Sequence, residues 1–199
     1  MGAVHDFELV GGDPALDLVN TIHDWTVAEP RDYLPTFGEA LRFGLAAGVL
    51  TRAEAQRLRG VAAGAELRRL RVLRTRLERI FRAWVGGRPP ARDDLDGLAG
   101  ETAEAAGARR LRLVRGRFVL EIDAVRAGAA VVRWRIAEAA IGLLTSARAG
   151  RVKACPGCGW FFVDETKNRS RRWCSMSMCG SSAKSRSYYW RTRARRAAQ

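Results

Sequence analysis

Apolar residues recur every three to four positions through most of residues 1–150, which is the spacing of amphipathic helices. The pattern predicts a short helix over residues 14–22, which opens with a proline suited to a first turn. Thr36 and Thr51 each precede a glutamate by three residues, a capping-box pattern that opens a helix. The N-terminal part of the chain is therefore expected to be mostly helical.

The longest periodic stretch follows Thr51, and Gly60 and Gly64 are the positions at which it would break or bend. The glycines and prolines of residues 86–90 end it, and another helix is expected over about 93–106.

Alternating residues at 111–114 and 118–122 flank the short connection 115–117, which predicts a β-hairpin. An alanine-rich helix is expected over about 127–149. The predicted fold class is mainly α, or α+β with one β-hairpin.

Charge divides the chain near Gly150. The net charge is +14, and residues 151–199 contribute +10 of it together with all four cysteines. We therefore expect a helical N-terminal domain at 1–150 and a basic C-terminal module at 151–199, with a polyanion as partner: nucleic acid or an anionic membrane surface. No apolar run approaches the ~20 residues of a membrane span, and no secretory signal opens the sequence, so we expect a cytoplasmic protein.

The cysteines form two close pairs, Cys155 with Cys158 and Cys174 with Cys179. This spacing favours tetrahedral Zn²⁺ over four unrelated thiols, with an iron–sulfur cluster as the residual alternative. Four cysteine ligands leave no open position for water, so the predicted zinc is structural. Residues 160–163 between the pairs are expected to form a strand.

Basic residues surround the cysteines, and a helix is expected after Cys179. Such a face suits contact with phosphates; a solvated arginine-rich tail is the alternative. The candidate nucleic-acid-binding residues are Lys167, Arg169, Arg171, Arg172, Lys184, Arg186, Arg191, Arg193 and Arg195. The neighbouring aromatic residues 188–190 could stack on bases, or pack on the N-terminal domain or on a second subunit.

Two segments, CPGCGWFFVD at 155–164 and NRSRRWCSMSMCG at 168–180, resemble the CGNR-type zinc finger. LDLVNT at 16–21 is similar to the start of the ABATE-like domain that precedes this finger. Members are regarded as stress-induced transcription regulators of bacteria. The resemblance implies zinc on the four cysteines and DNA binding by the helix that begins near Lys184. The chain departs from the family at 181–182, where two serines replace Asn-Arg.

Asn20, Thr21 and His23 cluster after the first helix, where they could line the pocket of a small-molecule effector. The alternative is that Asn20 and Thr21 cap the helix end. His23 beside Asp17 or Asp24 resembles an acid–base pair, but no nucleophile signature or phosphate loop accompanies it. We therefore predict no catalytic residues and no enzyme.

Three functions remain after these arguments. The first is a DNA-binding regulator with a helical domain that senses an effector or forms a homodimer. The second is an RNA-binding protein that uses the same basic module, because aromatic residues stack on single-stranded bases. The third is a protein-interaction module in which zinc is purely structural.

Overall fold

The helical periodicity becomes a set of packed helices in a computed structural model, which describes residues 7–25, 27–182 and 184–185. The helices are α1 (Pro14–Val19), α2 (Phe37–Ala46), α3 (Arg52–Leu58), α4 (Gly64–Val85), α5 (Arg92–Ala105), α6 (Ala124–Ala127) and α7 (Val131–Leu144). The strands are β1 (Arg109–Val114), β2 (Arg117–Ile122), β3 (Val152–Ala154) and β4 (Phe161–Val163).

The helix starts follow the capping residues of the sequence. Thr51 and Glu54 form a complete capping box at α3, with both reciprocal hydrogen bonds present. Thr36 accepts from the backbone N–H of Glu39 at α2, but the Glu39 carboxylate turns to Arg42 instead of closing the box. The long stretch after Thr51 is interrupted between α3 and α4, where Gly60 has a φ of 77°.

The core forms around α1, which packs against α4 and α7. Every residue of α1 after its proline is buried, so this short helix lies inside the molecule. One face of α4 and one face of α7 close around it, and α5 packs on both. The buried apolar residues that α4 and α7 contribute include Leu70, Leu73, Leu77, Ile80, Phe81, Val132, Ile136, Ala140 and Leu143.

Two arginines of α7, the buried Arg133 and the partly buried Arg135, tie the helices together. Arg133 is 1% exposed and forms ion pairs with Glu66 of α4, at 3.0 Å, and with Glu101 of α5. Arg135 pairs with Glu54 at 2.8 Å, so the capping box of α3 is anchored to α7. Hydrogen bonds from the Arg135 guanidinium lower the pKa of Glu54 to about 2.

The expected β-hairpin is present, so the mainly α fold with a β-hairpin is confirmed. β1 and β2 pair antiparallel from Arg109 opposite Ile122 to Val114 opposite Arg117. Arg115 and Gly116 turn the chain with φ values of 51° and 76°, as a two-residue hairpin turn requires.

A second antiparallel pair, β3 with β4, joins the cysteine-containing region to the helices. Val152, Phe161 and Val163 lie in the same apolar core as α1, α4 and α7. The C-terminal region therefore rests on the helical core through this sheet. Among the described helices, none combines the length and apolar character that crossing a bilayer demands.

Candidate metal centre and basic loop

Cys155 and Cys158 lie on a tight turn between β3 and β4. The backbone N–H of Gly159 donates to the Cys155 carbonyl at 2.9 Å, and the Cys155 N–H donates to the Trp160 carbonyl at 2.7 Å. Gly159 has a φ of 75°, a conformation that glycine adopts readily. At Gly157 a Cβ would lie 3.3 Å from the Cys179 sulfur, so the turn needs a small residue beside the second pair. This geometry brings the two thiols to one side.

The second pair is placed by a π-helical turn over Met176–Gly180. Ser175 precedes this turn, and its hydroxyl accepts from the backbone N–H of Met178. Cys174 is fully buried at the entry, and Cys179 lies within the turn, so both sulfurs face the first pair.

The four sulfur atoms lie within 4.8 Å of one another. Cys174 Sγ is 3.6 Å from Cys158 Sγ and 3.7 Å from Cys179 Sγ. Four ligands on ~2.3 Å bonds place the corners of a tetrahedron about 3.8 Å apart. A disulfide would need about 2.05 Å, so the four free cysteines have the separations of a metal-binding set.

Hydrogen bonds among the thiols shift the pKa values of Cys158 and Cys174 in opposite directions. A hydrogen bond from Cys174 lowers the pKa of Cys158, which favours the thiolate form of this sulfur. The hydrogen bond to Cys158, burial, and the negative charge of the Cys158 thiolate together raise the pKa of Cys174. Four thiolates this close need a cation among them, and a divalent metal ion supplies that charge.

The turn around the first pair is attached to the helical core by hydrogen bonds. The Trp160 indole N–H donates to the Ile22 carbonyl at 2.6 Å, and the Trp25 N–H donates to the Cys158 carbonyl at 3.2 Å. The Arg82 guanidinium lies 4.6 Å from the Phe161 ring centre. The cysteine site is therefore held by backbone groups of Ile22 and Trp25 and by the side chain of Arg82, as well as by its own loop.

A loop over residues 164–172 connects β4 to the second cysteine pair, and Lys153 organises it. The Lys153 ammonium donates to the Asp164 carboxylate at 2.6 Å and to the carbonyls of Arg169 and Arg171. Burial alone would raise the pKa of Asp164, but hydrogen bonds from Lys153 and Thr166 outweigh it and hold that pKa well below its usual range. The loop is thus built around the buried Asp164 carboxylate and its partly exposed partner Lys153.

This loop exposes cationic side chains on the outer surface of the metal site. Lys167, Arg169 and Arg172 are exposed, as is Lys184 after the π-helical turn. Arg171 differs, because its guanidinium donates to the carbonyls of Val10, Trp173 and Cys174 and stacks on Phe162. Its Nε and Nη2 are thus engaged inside the protein. Arg186, Arg191, Arg193 and Arg195 lie outside the described residues.

Ser181 and Ser182 stand where the resemblance predicts Asn-Arg, and both are exposed. The Ser181 hydroxyl donates to the Met176 carbonyl at 2.9 Å, and the Ser182 hydroxyl donates to the Met178 carbonyl at 3.0 Å. Both hydroxyls are therefore bonded back to the preceding turn, and neither supplies a charge.

Asn20, Thr21 and His23 line one cavity of about 160 Å³, with walls from both regions of the chain. Thr21 donates to the Leu18 carbonyl, accepts from Arg74, and so has a structural role. The Asn20 side-chain amide is bonded to the backbone of Phe161, so its polar atoms are also engaged. His23 is exposed, and its Nδ1 lies 2.7 Å from the Tyr33 hydroxyl.

Sequence reasoning missed several residues of these sites. Trp160, Tyr33 and Met178 complete the cavity, and Asp17 lines it beside His23. Asp17 is 7% exposed, and burial raises its pKa to about 7 although the Gly11 N–H donates to it. From the sequence, Asp17 was named only as a candidate acid–base partner of His23, and not as a buried residue of the cavity wall. No signal in the sequence distinguished Lys153 as the residue that organises the basic loop.

Two family models match the chain. The CGNR zinc finger covers residues 151–192, and the ABATE family, described as "Putative stress-induced transcription regulator", covers residues 12–147. Neither description names an enzymatic activity. Among curated proteins, none matches the sequence. The matches agree with the four-cysteine geometry, and the ABATE match spans more than half of the chain. The chain belongs to the ABATE family and carries a C-terminal CGNR zinc finger.

Proposed function

We propose that this protein is a zinc-dependent, DNA-binding transcription regulator. The proposal rests mainly on one observation: exposed cationic side chains flank the metal site on both sides of the second cysteine pair. These side chains are Lys167, Arg169, Arg172 and Lys184. Cys174 follows the basic loop after one residue, and Cys179 lies five positions before Lys184. A metal on the four sulfurs fixes both ends of this surface.

The ligand set favours zinc as the metal. Zn²⁺ accepts four thiolates in a tetrahedron without a preference imposed by d electrons. Cys155, Cys158, Cys174 and Cys179 would hold it, and bound zinc supplies structural charge neutralisation rather than a reactive site. The remaining binding chemistry belongs to the side chains of the loop.

The exposed cations are suited to the phosphate backbone of a nucleic acid. Lys167, Arg169 and Arg172 project from one short loop whose backbone is fixed by Lys153 and Asp164. Such cations release counterions when they bind phosphates, which gives sequence-independent, salt-sensitive affinity. Duplex DNA is the favoured partner because the family description is that of a transcription regulator.

The experiment measures binding of the zinc-loaded protein to duplex DNA across a salt series, with single-stranded RNA in parallel. Replacing Lys167, Arg169 and Arg172 with glutamine should weaken binding to all duplexes and flatten the salt slope by roughly two to three units. The control replaces Arg57, Arg59 and Arg68, which are exposed on the helical domain, with glutamine.

Equal losses in both triple variants would place binding outside the loop. Tighter binding to single-stranded RNA than to duplex DNA would favour the RNA-binding alternative. An absence of binding to either nucleic acid by zinc-loaded protein would leave protein interaction as the function of the module.

We also propose that the cavity beside the metal site binds a small effector. The supporting observation is its position: Asp17, His23 and Tyr33 come from the N-terminal domain, whereas Trp160 and Met178 come from the finger. A cavity of about 160 Å³ has the size that accommodates a ligand like benzene. A ligand there would contact both regions at once.

A fragment panel of small aromatic amides and amines tests the effector site. Ligands that bind should raise the melting temperature of the wild type, as mass action requires, and not that of the His23→Ala variant. Glu29→Ala, at an exposed position of the same loop, is the control. Equal shifts in all three proteins would show that the fragments bind elsewhere.

A further inference from the structure

The hairpin β1–β2 has two chemically different faces. Residues paired across antiparallel strands share a face, and alternate residues point to opposite faces. Leu111 is paired with Leu120, and Leu113 with Phe118, so four large apolar side chains lie on one face. The opposite face carries Arg110 with Glu121, Arg112 with Val119, and Val114 with Arg117. We call the first the apolar hairpin face.

The apolar hairpin face is open to solvent. Leu111 is 67% exposed, Leu113 65%, Phe118 75% and Leu120 59%. The hairpin joins the core only at its root, where Ile122 is buried and Arg109 pairs with Glu138 of α7. Within the described part of the chain, this face therefore has no covering layer.

An uncovered face of this kind indicates a partner. An isolated two-stranded hairpin is only marginally stable in water, and it is stabilised when its apolar face packs on another surface. At their exposed fractions, the four side chains present on the order of 500 Å². This is the size of the largest apolar patch on a typical soluble monomer, and such patches are often functional.

We propose that the apolar hairpin face packs against the same face of a second copy of this chain, forming a two-fold symmetric dimer. Two such faces would bury on the order of 1,000 Å² in total, the size at which specific interfaces begin. A two-fold interface uses the same patch on both subunits, so the patch must complement itself. Four uncharged, non-hydrogen-bonding side chains meet this requirement.

Charge restricts the surfaces through which two copies of this chain can meet. A chain with a net charge of +14 repels its own copies over most surfaces. Arg110 and Arg112 lie on the other face, where Arg112 pairs with Glu121 at 3.1 Å and Arg110 pairs with Asp123 at 3.3 Å, and Arg109 at the root of the hairpin is paired with Glu138. Two apolar hairpin faces can thus meet while their arginines remain in solvent on the outer sides.

The test measures the oligomeric state of the full-length, zinc-loaded chain by sedimentation equilibrium over a range of concentrations. We expect a monomer–dimer equilibrium whose Kd rises at least ~100-fold in Phe118→Glu, because an unpaired charge would be buried at the interface. Val119→Glu changes the charge equally on the opposite face and should shift Kd less than about threefold. A wild type that stays monomeric, or equal losses in both variants, would overturn the proposal.

A second measurement does not depend on the folding of a charge variant. Replacing Phe118 with photoreactive benzoylphenylalanine should give, on irradiation, a covalent dimer linked to residues 111–120 of the other copy. A cross-link within a single chain, or one to a different surface of the second copy, would overturn the proposed arrangement.

Discussion

Asn20 and Phe161, which are 141 positions apart in the sequence, hold each other by two hydrogen bonds. The Asn20 amide donates to the Phe161 carbonyl, and its oxygen accepts from the Phe161 backbone N–H, each at 2.9 Å. Both groups are buried, so this one side chain satisfies a donor and an acceptor of β4. The end of α1 is thereby fixed to β4, the strand that lies between the two cysteine pairs.

Asn20→Ala would leave two buried backbone groups of Phe161 without partners. We expect the free energy of unfolding to fall by about 2–4 kcal/mol, since each unsatisfied group costs about 1–3 kcal/mol. Denaturant unfolding measures the change. Asn168→Ala, at an exposed position of the basic loop, should change stability by less than about 0.5 kcal/mol. Similar values for both variants would show that the pair contributes little.

Replacing Cys174 with serine should remove the metal, because the fully buried Cys174 sulfur is 3.6–3.7 Å from two other sulfurs of the set. Metal analysis of the wild type should give about one Zn²⁺ per chain. In the variant, hydrogen exchange should lose protection at 155–160 and 173–180, whereas α4 and α7 keep theirs. Met176→Ser, at an exposed position, is the control. Full zinc occupancy in the variant would contradict the ligand set.

Stability should depend on pH through Asp17. Burial raises its folded-state pKa to about 7, above the value of about 4 in the unfolded chain. Between these values the folded state holds a proton that the unfolded state releases, so the stabilisation present below pH 4 is lost as the pH rises to 7.

Asp17→Asn removes this titration. Between about pH 4 and pH 7, the free energy of unfolding of the variant should therefore rise relative to that of the wild type by up to ~1.4 kcal/mol per pH unit. Denaturant unfolding at pH 5, 6, 7 and 8 gives the comparison. Asp96→Asn, whose side chain is 71% exposed, should follow the wild type. A constant difference between Asp17→Asn and the wild type at all four pH values would contradict the raised pKa.

The turn between the first two cysteines should not tolerate a side chain at Gly157. A Cβ there would lie 3.2 Å from the Cys179 Cβ and 3.3 Å from its sulfur, closer than ordinary contact. We expect Gly157→Ala to lower zinc affinity by roughly tenfold, measured by competition with a chelator. Gly150→Ala, where a Cβ meets nothing within 4 Å, should leave zinc affinity unchanged.

The serines at 181–182 provide a test of how the finger contacts DNA. Ser182→Arg restores a guanidinium immediately after the metal site, and one good charged contact contributes about 1–3 kcal/mol. Ser185→Arg adds the same charge one helical turn later. If Ser182→Arg binds DNA more tightly than the wild type and Ser185→Arg does not, position 182 faces the DNA. Equal gains would show general phosphate attraction only.

Local signals in the sequence predicted most of the elements. The capping-box residues Thr51 and Glu54 predicted the start of α3. Gly60 was one of the two glycines at which the sequence predicted that the helical stretch would break. The hairpin was predicted from the alternation of residues on either side of the short connection 115–117. The cysteine spacing predicted the cluster, because two close pairs leave few other arrangements.

Contacts between distant residues could not be predicted in the same way. Nothing near Asn20 indicates that it binds Phe161, and the helix-capping alternative was equally consistent with the sequence. In the sequence, Arg171 and Lys153 cannot be distinguished from exposed cationic residues. In the structure, both side chains donate hydrogen bonds to backbone carbonyls. The cavity likewise depends on the packing of Trp160 against the end of α1, which a single sequence does not encode locally.

The shared core has a consequence for how such proteins can recombine. The two family matches meet between residues 147 and 151, but Phe161 and Val163 lie beyond that point and are packed among α1, α4 and α7. A hybrid that grafted a foreign finger at this junction would insert unmatched side chains into the interior of the recipient. The two regions must therefore be exchanged together, with Asn20 and its strand partner inherited as a pair.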